Sequence, residues 1–302
     1  MTSRAPIAVI LNASAGAGHG DELAKTITEK FRSHGLDAHV TLAANGSEVI
    51  AASKRAVAER TGTVVAGGGD GTMSAVAATL AGTDIHFGIL PLGTLNHFAK
   101  DLRIPQDLDG AIATIAEGLS VAIDAGEVNG RIFVNNSSLG LYASTVRHRQ
   151  QQQRRLGRGK WLALFWAAVS AFRRYPLLSV TLSLENEEFS RRTAFIFIGN
   201  NEYLMEGFTI GTRRRLDGGK LSLYTSQRTG RLGSLVLAAK ALMGCLSQAK
   251  DFDALSAKTI LIETRHKRIR VATDGEVTLM STPLHYRICP AALNVIVPIV
   301  HE

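Results

Sequence analysis

The stretch Gly67-Gly-Gly-Asp-Gly-Thr72 decides how this chain folds, because it joins a short apolar run to a helical pattern. The run Thr63–Ala66 is typical of a buried strand, and Met73–Leu80 has the spacing of a helix. Glycines let backbone N–H groups approach a phosphate without a Cβ clash, and a helix N-terminus adds positive dipole. Asp70 would repel phosphate, so we expect it to bind Mg²⁺ carried by a nucleotide, directly or through water. The candidates for holding that nucleotide are Gly67, Gly68, Gly69, Gly71 and Thr72.

A second loop of similar composition follows the next predicted strand, His86–Leu90. It reads Pro91-Leu-Gly-Thr-Leu-Asn-His-Phe-Ala-Lys100. Loops at the carboxyl ends of neighbouring parallel strands face one crevice, so the two loops together predict a nucleotide site. The loop that begins at Asn12 is a candidate for a third side of this nucleotide site. Small-residue turns after a first strand are, however, also common for structural reasons alone. This adds four candidate residues: Asn12, Gly93, Thr94 and Asn96.

Strands and helices alternate over residues 1–125, which predicts a doubly wound parallel sheet in an α/β domain. The continuous apolar run Pro6–Leu11 fits a strand buried on both faces. The remaining predicted elements are a helix over Asp21–Ser33, a strand over Ala38–Leu42 and a helix over Ser47–Arg60.

The pattern changes after residue 125, and we predict a mainly antiparallel β domain over residues 126–302. Val128-Asn-Gly-Arg131 carries the strongest short hairpin signal, Asn-Gly between strand-like runs. Helices are predicted only at 160–174 and 231–248. The predicted strands are Ser179–Leu184, Thr193–Ile198, Lys220–Tyr224, Thr259–Glu263, Arg268–Ala272, Leu284–Ile288 and Asn294–Val297.

Composition excludes several protein classes. The chain has 302 residues and two cysteines, too few for a disulfide framework or a zinc cluster. The N-terminus lacks the apolar run of a signal peptide. The longest apolar stretch, Trp161–Phe172, would extend roughly 18 Å as a helix, well short of a hydrocarbon core of about 30 Å. We therefore expect neither secretion nor insertion across a membrane.

Charge is distributed unevenly between the two predicted domains. Residues 1–125 carry 9 basic and 13 acidic residues, a net charge of −4, whereas residues 126–302 carry 25 and 13, a net charge of +12. This asymmetry favours a polyanionic partner for the second domain. The densest cluster, Arg147–Lys160, is either a solvated loop or part of such a surface. The apolar segment that follows, to Tyr175, fits buried core or an interfacial membrane contact.

The two loops, GGGDGT and PLGTLNHFAKDL, resemble the diacylglycerol kinase catalytic domain of soluble bacterial lipid kinases, which is related to sphingosine and ceramide kinases. The resemblance covers almost the whole chain. Its further parts are the Asn12 loop, Ile123-Asp124, Phe133-Val-Asn-Asn136 with Ser138-Leu-Gly140, and Asp274-Gly-Glu276.

This resemblance implies that ATP and Mg²⁺ bind in a cleft between the two domains and that a lipid hydroxyl receives the phosphoryl group. Asp70 would serve Mg-ATP and Asp124 would join the acidic metal network. Glu276, with Asp274 nearby, would be the catalytic base, although the residues alone favour a hairpin turn there. Asp217 matches a structural metal position, for which an ordinary Asp-Gly turn is the alternative.

One departure from the family pattern concerns the second loop, where the family has Asn-Asp and this chain has Asn96-His97. A carboxylate is thereby removed from the expected metal network. The alternatives are a catalytically silent lipid- or nucleotide-binding regulator, or an enzyme like NAD kinase, which shares the Gly-Gly-Asp-Gly-Thr element. We expect a cytoplasmic protein held peripherally on the anionic inner face of the membrane, with a lipid substrate. Because aromatic residues are only 6% of the chain, we expect no nucleic-acid partner. The sequence is compatible with either a monomer or a homodimer.

Overall fold

The computed structural model describes residues 6–13, 20–140, 178–185, 187–193, 195–206, 209–213, 215–226 and 252–299. The basic cluster Arg147–Lys160, the apolar segment after it and the predicted helices at 160–174 and 231–248 lie outside these residues, as does the part of the Asn12 loop from Ser14 to His19.

The chain divides into two compact units. The first combines residues 1–125 with 289–302, and the second comprises residues 126–288. The division after Ala125 coincides with the predicted domain boundary. Residues 289–302, however, group with the first unit, whereas the predicted second domain extended to residue 302.

The first unit is built on a parallel sheet with the strand order β2-β1-β3-β4, followed by the C-terminal part of β18. Its strands are β1 (Ile7–Asn12), β2 (Ala38–Ala43), β3 (Thr63–Gly68) and β4 (His86–Pro91), and β18 spans Leu284–Val297. Its helices are α1 (Gly20–Ser33), α2 (Gly46–Ala58), α3 (Asp70–Leu80), α4 (His97–Asp101) and α5 (Leu108–Glu117).

Helices cover both faces of this sheet, as the apolar runs of its strands predict. α1 packs against α5 and α2 packs against α3. Val9, Val65 and Ile89 are completely or almost completely buried in the three strands between them. The register pairs Gly67 with Leu90 and Gly68 with Pro91, so the two predicted loops begin at the same edge of the sheet.

The second unit contains antiparallel strands that enclose its own core. One sheet has the order β14-β13-β10-β7-β16-β17. Strands β18, β15, β8 and β9 pair in that order, and β5 pairs with both β18 and β6. Val180, Leu182, Ile196, Ile198 and Tyr286 belong to the core cluster. β5 (Leu119–Val128) begins in the first unit and ends in the second. The other strands of the second unit are β6 (Arg131–Phe133), β7 (Asn136–Gly140), β8 (Leu178–Leu184), β9 (Glu187–Thr193), β10 (Phe195–Asn200), β11 (Tyr203–Glu206), β12 (Thr209–Arg213), β13 (Leu221–Ser226), β14 (Phe252–Ala257), β15 (Thr259–Thr264), β16 (Arg268–Thr273) and β17 (Glu276–Ser281).

The predicted fold class, a parallel-sheet α/β domain followed by an antiparallel β domain, is confirmed. Asn129 and Gly130 form the predicted hairpin turn with φ angles of +46° and +82°. Several details differ from the prediction. Leu284–Ile288 and Asn294–Val297 are one strand, and Thr193 ends β9 instead of starting β10. Helices α4 and α5 and strands β7, β9, β11, β12, β14 and β17 were not predicted.

Candidate functional site

The first turn of α3 lies directly after β3, where the glycine-rich stretch was predicted to bind phosphate. Gly69 is the N-cap residue, and the first helical bonds run from the N–H groups of Thr72 and Met73 to its carbonyl. The N–H groups of Asp70 and Gly71 precede these bonds, so they have no acceptor within the helix. Such N–H groups, together with the helix dipole, suit an anion.

Two of the glycines are required by packing alone. A Cβ on Gly67 would lie 2.1 Å from Cδ2 of Leu11, and one on Gly68 would lie 2.5 Å from Oγ1 of Thr72. Both distances are far below van der Waals contact. These two glycines therefore close the turn against β1 and α3 and would be needed without any ligand.

The other two glycines of the stretch are not required by packing. A Cβ on Gly69 would lie 3.6 Å from the nearest atom, Cα of Gly93, which is an ordinary contact. A Cβ on Gly71 would meet nothing within 4 Å. Gly71 is exposed, so its missing side chain leaves open space beside the first turn of α3. The fold gives no reason for glycine at this position, whereas a ligand at the backbone does.

The second loop closes against the first. A Cβ on Gly93 would lie 2.5 Å from Cα of Gly69, so this close approach requires glycine. The side-chain amide of Asn96 holds the loop together, since its Nδ2 donates to the carbonyls of Pro91 at 3.0 Å and Gly93 at 2.9 Å and to Gln106 Oε1 at 3.2 Å. Its Oδ1 is buried and has no hydrogen-bond partner among the described residues. This oxygen can accept from a hydroxyl or bind a cation, but it cannot bind phosphate.

Asp70 connects the two loops through its side chain. Its Oδ1 accepts a hydrogen bond of 3.3 Å from the backbone N–H of Phe98, in the first turn of α4. Its Oδ2 makes no hydrogen bond with a described residue, so the carboxylate can still bind a metal or a metal-bound water. On the other side of the turn, Asn12 Nδ2 donates to Thr72 Oγ1 at 3.2 Å. Four predicted residues of the first unit, Asn12, Asp70, Thr72 and Asn96, thus lie on connected loops.

Thr94 and His97 differ from these residues because both are exposed on the second loop. His97 is the first residue of α4, next to the N-cap residue Asn96, which has a left-handed backbone with φ of +50°. Neither side chain contributes to the hydrogen bonds that close the loop.

Asp124 was predicted to join an acidic metal network, and its surroundings show a structural contact. Its side chain is buried, and Oδ1 accepts a hydrogen bond of 3.0 Å from the backbone N–H of Ala291. Ala291 has a φ of +49° in the middle of β18. Asp124 therefore stabilises an irregular point of this strand.

The described part of the chain contains no group of three or more His, Cys, Asp or Glu side chains placed to bind a metal. Asp217, a predicted metal ligand, instead accepts a hydrogen bond of 2.8 Å from Arg215 Nε. This hydrogen bond and the positive charge of Arg215 lower the pKa of Asp217. Asp217 is exposed and Gly219 has a φ of +66°, as in an ordinary Asp-Gly turn.

Asp274 forms the turn between β16 and β17 and binds the start of β7. Its Oδ2 accepts from the N–H of Val134 at 2.8 Å, and Oδ1 accepts from the N–H groups of Asn135 at 2.9 Å and Asn136 at 3.0 Å. Both carboxylate oxygens are thereby engaged with backbone. This geometry suits a residue that positions the turn better than one that accepts a proton, and the predicted hairpin turn is present.

Glu276 is the first residue of β17 and its side chain is exposed. Arg131, on β6, donates to Glu276 Oε2 at 2.5 Å through Nη2 and to Thr278 Oγ1 at 2.9 Å through Nη1. The planar guanidinium thus fixes the carboxylate relative to the strand. Arg131 has no local signal in the sequence, because only long-range pairing brings residues 145 positions apart together.

Comparison with known proteins identifies the family. Residues 6–128 match the diacylglycerol kinase catalytic domain, and residues 136–297 match the YegS C-terminal NAD kinase beta sandwich-like domain. The chain belongs to the diacylglycerol kinase catalytic domain family. The resemblance drawn from the two loops is therefore confirmed.

Members and relatives of this family match the chain to different extents. An uncharacterized protein of Synechocystis sp. is 25% identical over 307 residues, which cover 96% of this chain and 70% of the relative. A YegS-like protein of Klebsiella pneumoniae (strain 342), named a probable lipid kinase, is 34% identical over 140 residues, or 46% of each protein. The chain therefore spans about half the length of such named lipid-kinase relatives.

Solved structures show the same fold. A diacylglycerol kinase of Bacillus anthracis str. Sterne aligns with a TM-score of 0.72 and 20% identity over 98% of both chains. A second structure from the same organism gives a TM-score of 0.75 over 98% of this chain and 96% of the other. No helix among the described residues is long and apolar enough to cross a membrane.

Proposed function

We propose that this protein is a lipid kinase that transfers a phosphoryl group from Mg-ATP to a lipid hydroxyl at the inner face of the membrane. Membership of the family and the names of its relatives support a kinase. The dependence on ATP and Mg²⁺, the lipid acceptor and the location are the parts that the proposal adds.

One observation carries the proposal: the open space at Gly71 beside N–H groups that have no helical acceptor. Packing explains Gly67, Gly68 and Gly93, but it leaves the missing side chain at Gly71 unexplained. Phosphate oxygens would accept from the first turn of α3, where the helix dipole also favours negative charge. The loops that meet there would hold the nucleotide in place.

The residues present fit a magnesium ion that arrives with the nucleotide. Mg²⁺ usually takes one or two carboxylates, and water and substrate phosphates complete its coordination. Asp70 supplies one carboxylate, whose Oδ2 is free among the described residues. When bound, the ion would neutralise phosphate charge, which dominates catalysis of phosphoryl transfer.

Glu276 is the proposed base, and Arg131 holds its carboxylate in place. As the lipid oxygen bonds to the transferred phosphorus, Glu276 would accept the proton that the hydroxyl loses, and ADP would leave with the bridging oxygen. Asp274 would act as a positioning residue, since it fixes the turn from which Glu276 projects. This assignment revises the direct catalytic role predicted for Asp274.

The test is incorporation of radiolabel from ATP into a total lipid extract, with NAD as a competing acceptor. We expect a labelled lipid with the unaltered protein and no label with Asp70→Asn or Glu276→Gln. Asp70→Asn is the suitable variant because an asparagine oxygen can still accept from Phe98. The fold is thereby preserved while the charge is removed.

The outcomes separate the alternatives. Label in NAD instead of lipid would replace the proposal with an NAD kinase. Binding of Mg-ATP without any labelled product would favour a silent regulator. Full activity of Glu276→Gln would remove that residue as the base and leave the lipid kinase intact.

A further inference from the structure

The connection between β15 and β16, together with the first residues of β16, carries the densest positive charge among the described residues of the second unit. Residues 265–270 read Arg-His-Lys-Arg-Ile-Arg, and we call them the basic segment. Its four cationic side chains, Arg265, Lys267, Arg268 and Arg270, are all exposed. The proposed function does not use any of them.

No carboxylate of the described residues neutralises this charge. The acidic side chains that form ion pairs in the second unit do so elsewhere, for example Glu127 with Arg287 and Asp253 with Arg191. The cations of the basic segment form no ion pair within 4 Å with any carboxylate in the described ranges. A cluster of like charges without counterions creates a local positive potential that attracts a polyanionic surface.

Backbone contacts hold the basic segment in position in spite of this repulsion. Thr282 donates from its N–H to the carbonyl of Lys267 at 3.2 Å and from its hydroxyl to the carbonyl of His266 at 2.6 Å. The antiparallel register then pairs Arg268 with Ser281. The charges are therefore displayed by a defined turn at the edge of the sheet.

An exposed apolar side chain lies beside these cations. Leu279 is 57% exposed, more than any other large apolar side chain among the described residues. It is located on the edge strand β17, directly opposite Arg270 in the register. Cations around an exposed leucine are characteristic of contact with an anionic lipid interface, where the leucine enters the apolar layer.

We propose that the basic segment and Leu279 form the surface that docks this protein onto an anionic phospholipid bilayer. The proposal deepens the proposed function, because it locates the contact with the membrane that supplies the lipid. A nucleic acid fits this surface less well, since the described residues place no exposed aromatic side chain beside the cations for base stacking.

The test is sedimentation of the full chain with vesicles of phosphatidylcholine, alone or mixed with anionic phosphatidylglycerol. The test variant, Arg265→Gln/Lys267→Gln/Arg268→Gln, removes three positive charges of the basic segment. Each well-placed cation strengthens binding about fivefold, so this variant should bind anionic vesicles roughly 100-fold more weakly. Leu279→Thr should weaken binding further, with an effect that salt does not remove.

A matched control removes the same charge from other exposed positions of the second unit. Arg192→Gln/Lys220→Gln/Lys258→Gln lowers the net charge equally and should bind almost as tightly as the unaltered protein. Equal weakening of both triple variants, or no weakening of either, would overturn the proposal. So would a failure of the unaltered protein to bind anionic vesicles, or tighter binding to single-stranded RNA than to vesicles.

Docking and catalysis are separated by presenting the lipid extract in detergent micelles. The variant of the basic segment should keep its labelling activity there, because no bilayer has to be found. If the unaltered protein binds vesicles through this segment but labels no lipid, the proposed function fails and the docking surface stands. If label appears in lipid but the variant of the basic segment binds vesicles as tightly as the unaltered protein, the proposed function stands and the docking surface fails.

Discussion

Gly68 and Gly71 lie three residues apart in one turn, yet different causes account for them. Gly68 is required because Thr72 fills the space where a Cβ would be, whereas Gly71 borders open space. The sequence shows only that both are glycine. The structure separates a glycine needed for packing from one whose absent side chain leaves room for a ligand.

Alanine at position 71 should therefore weaken ATP binding and leave stability almost unchanged, whereas alanine at position 68 should reduce stability. Gly71→Ala should change the free energy of unfolding by less than about 1 kcal/mol, since the added methyl meets no atom. It should raise KM for ATP roughly tenfold, a loss of about 1.4 kcal/mol of binding. Gly68→Ala should cost about 1–3 kcal/mol of stability by overpacking. Urea unfolding and initial rates would measure both effects, and an unchanged KM in Gly71→Ala would contradict the phosphate site.

At the scale of elements, the hairpin β16–β17 depends on one carboxylate. Asp274 accepts three backbone N–H groups from Val134 to Asn136, and its own N–H donates to the Asn136 carbonyl at 2.9 Å. The turn that presents Glu276 is thus attached to β7 by bonds that the local sequence does not reveal.

Asp274→Asn should lower the free energy of unfolding by about 2 kcal/mol. The asparagine lacks the negative charge, and its NH2 group, a donor, would face a backbone N–H group, which is also a donor. The exposed Asp217→Asn is a suitable control and should change stability by less than about 0.5 kcal/mol. Urea denaturation of the two variants would compare them. Equal stability of both would mean that these hydrogen bonds do not hold the hairpin.

Elements with a local signal could be predicted from sequence, and those defined by distant contacts could not. The β3-turn-α3 unit was predictable because an apolar run, glycines and a helical pattern follow one another. β18 was predicted as two strands because Pro290 and Ala291 interrupt its pattern, and the carboxylate that binds the N–H of Ala291 belongs to Asp124, 167 positions away. α5 has a local cap, Asp107 bonded to Gly110, but a glycine in the first turn lowers helix propensity. The ion pair of Glu276 with Arg131 had no local signal.

At the scale of the whole molecule, the core of the second unit contains a tyrosine that must stay neutral. Tyr286 is almost completely buried beside Phe133, and its hydroxyl lies 2.9 Å from Ser137 Oγ. Burial raises the pKa of Tyr286, and the hydrogen bond with Ser137 opposes this only in part. Deprotonation of Tyr286 is therefore less favourable in the folded protein than in the unfolded chain.

Stability should therefore be complete below the ordinary tyrosine pKa of about 10 and should fall as the pH rises above it. Tyr286→Phe should remove this contribution, which amounts to about 1.4 kcal/mol per pH unit, at a cost of about 1 kcal/mol near neutrality for the lost hydrogen bond. Urea unfolding at a series of alkaline pH values would show it. The same alkaline slope in both proteins would mean that another group causes the loss.

The strand β18 also affects how the protein can be made. Asn294 and Val295 pair with β4, so residues near 295 complete a sheet that residues 7–12 begin. The ribosome synthesises β4 and Asn294 far apart in time, because residues 92–293 lie between them. At about 5–20 residues per second, the edge of β4 stays unpaired for roughly 10–40 s before its neighbour emerges. A nascent chain of this kind has a long interval in which another strand can bind that edge, and slower translation would lengthen it.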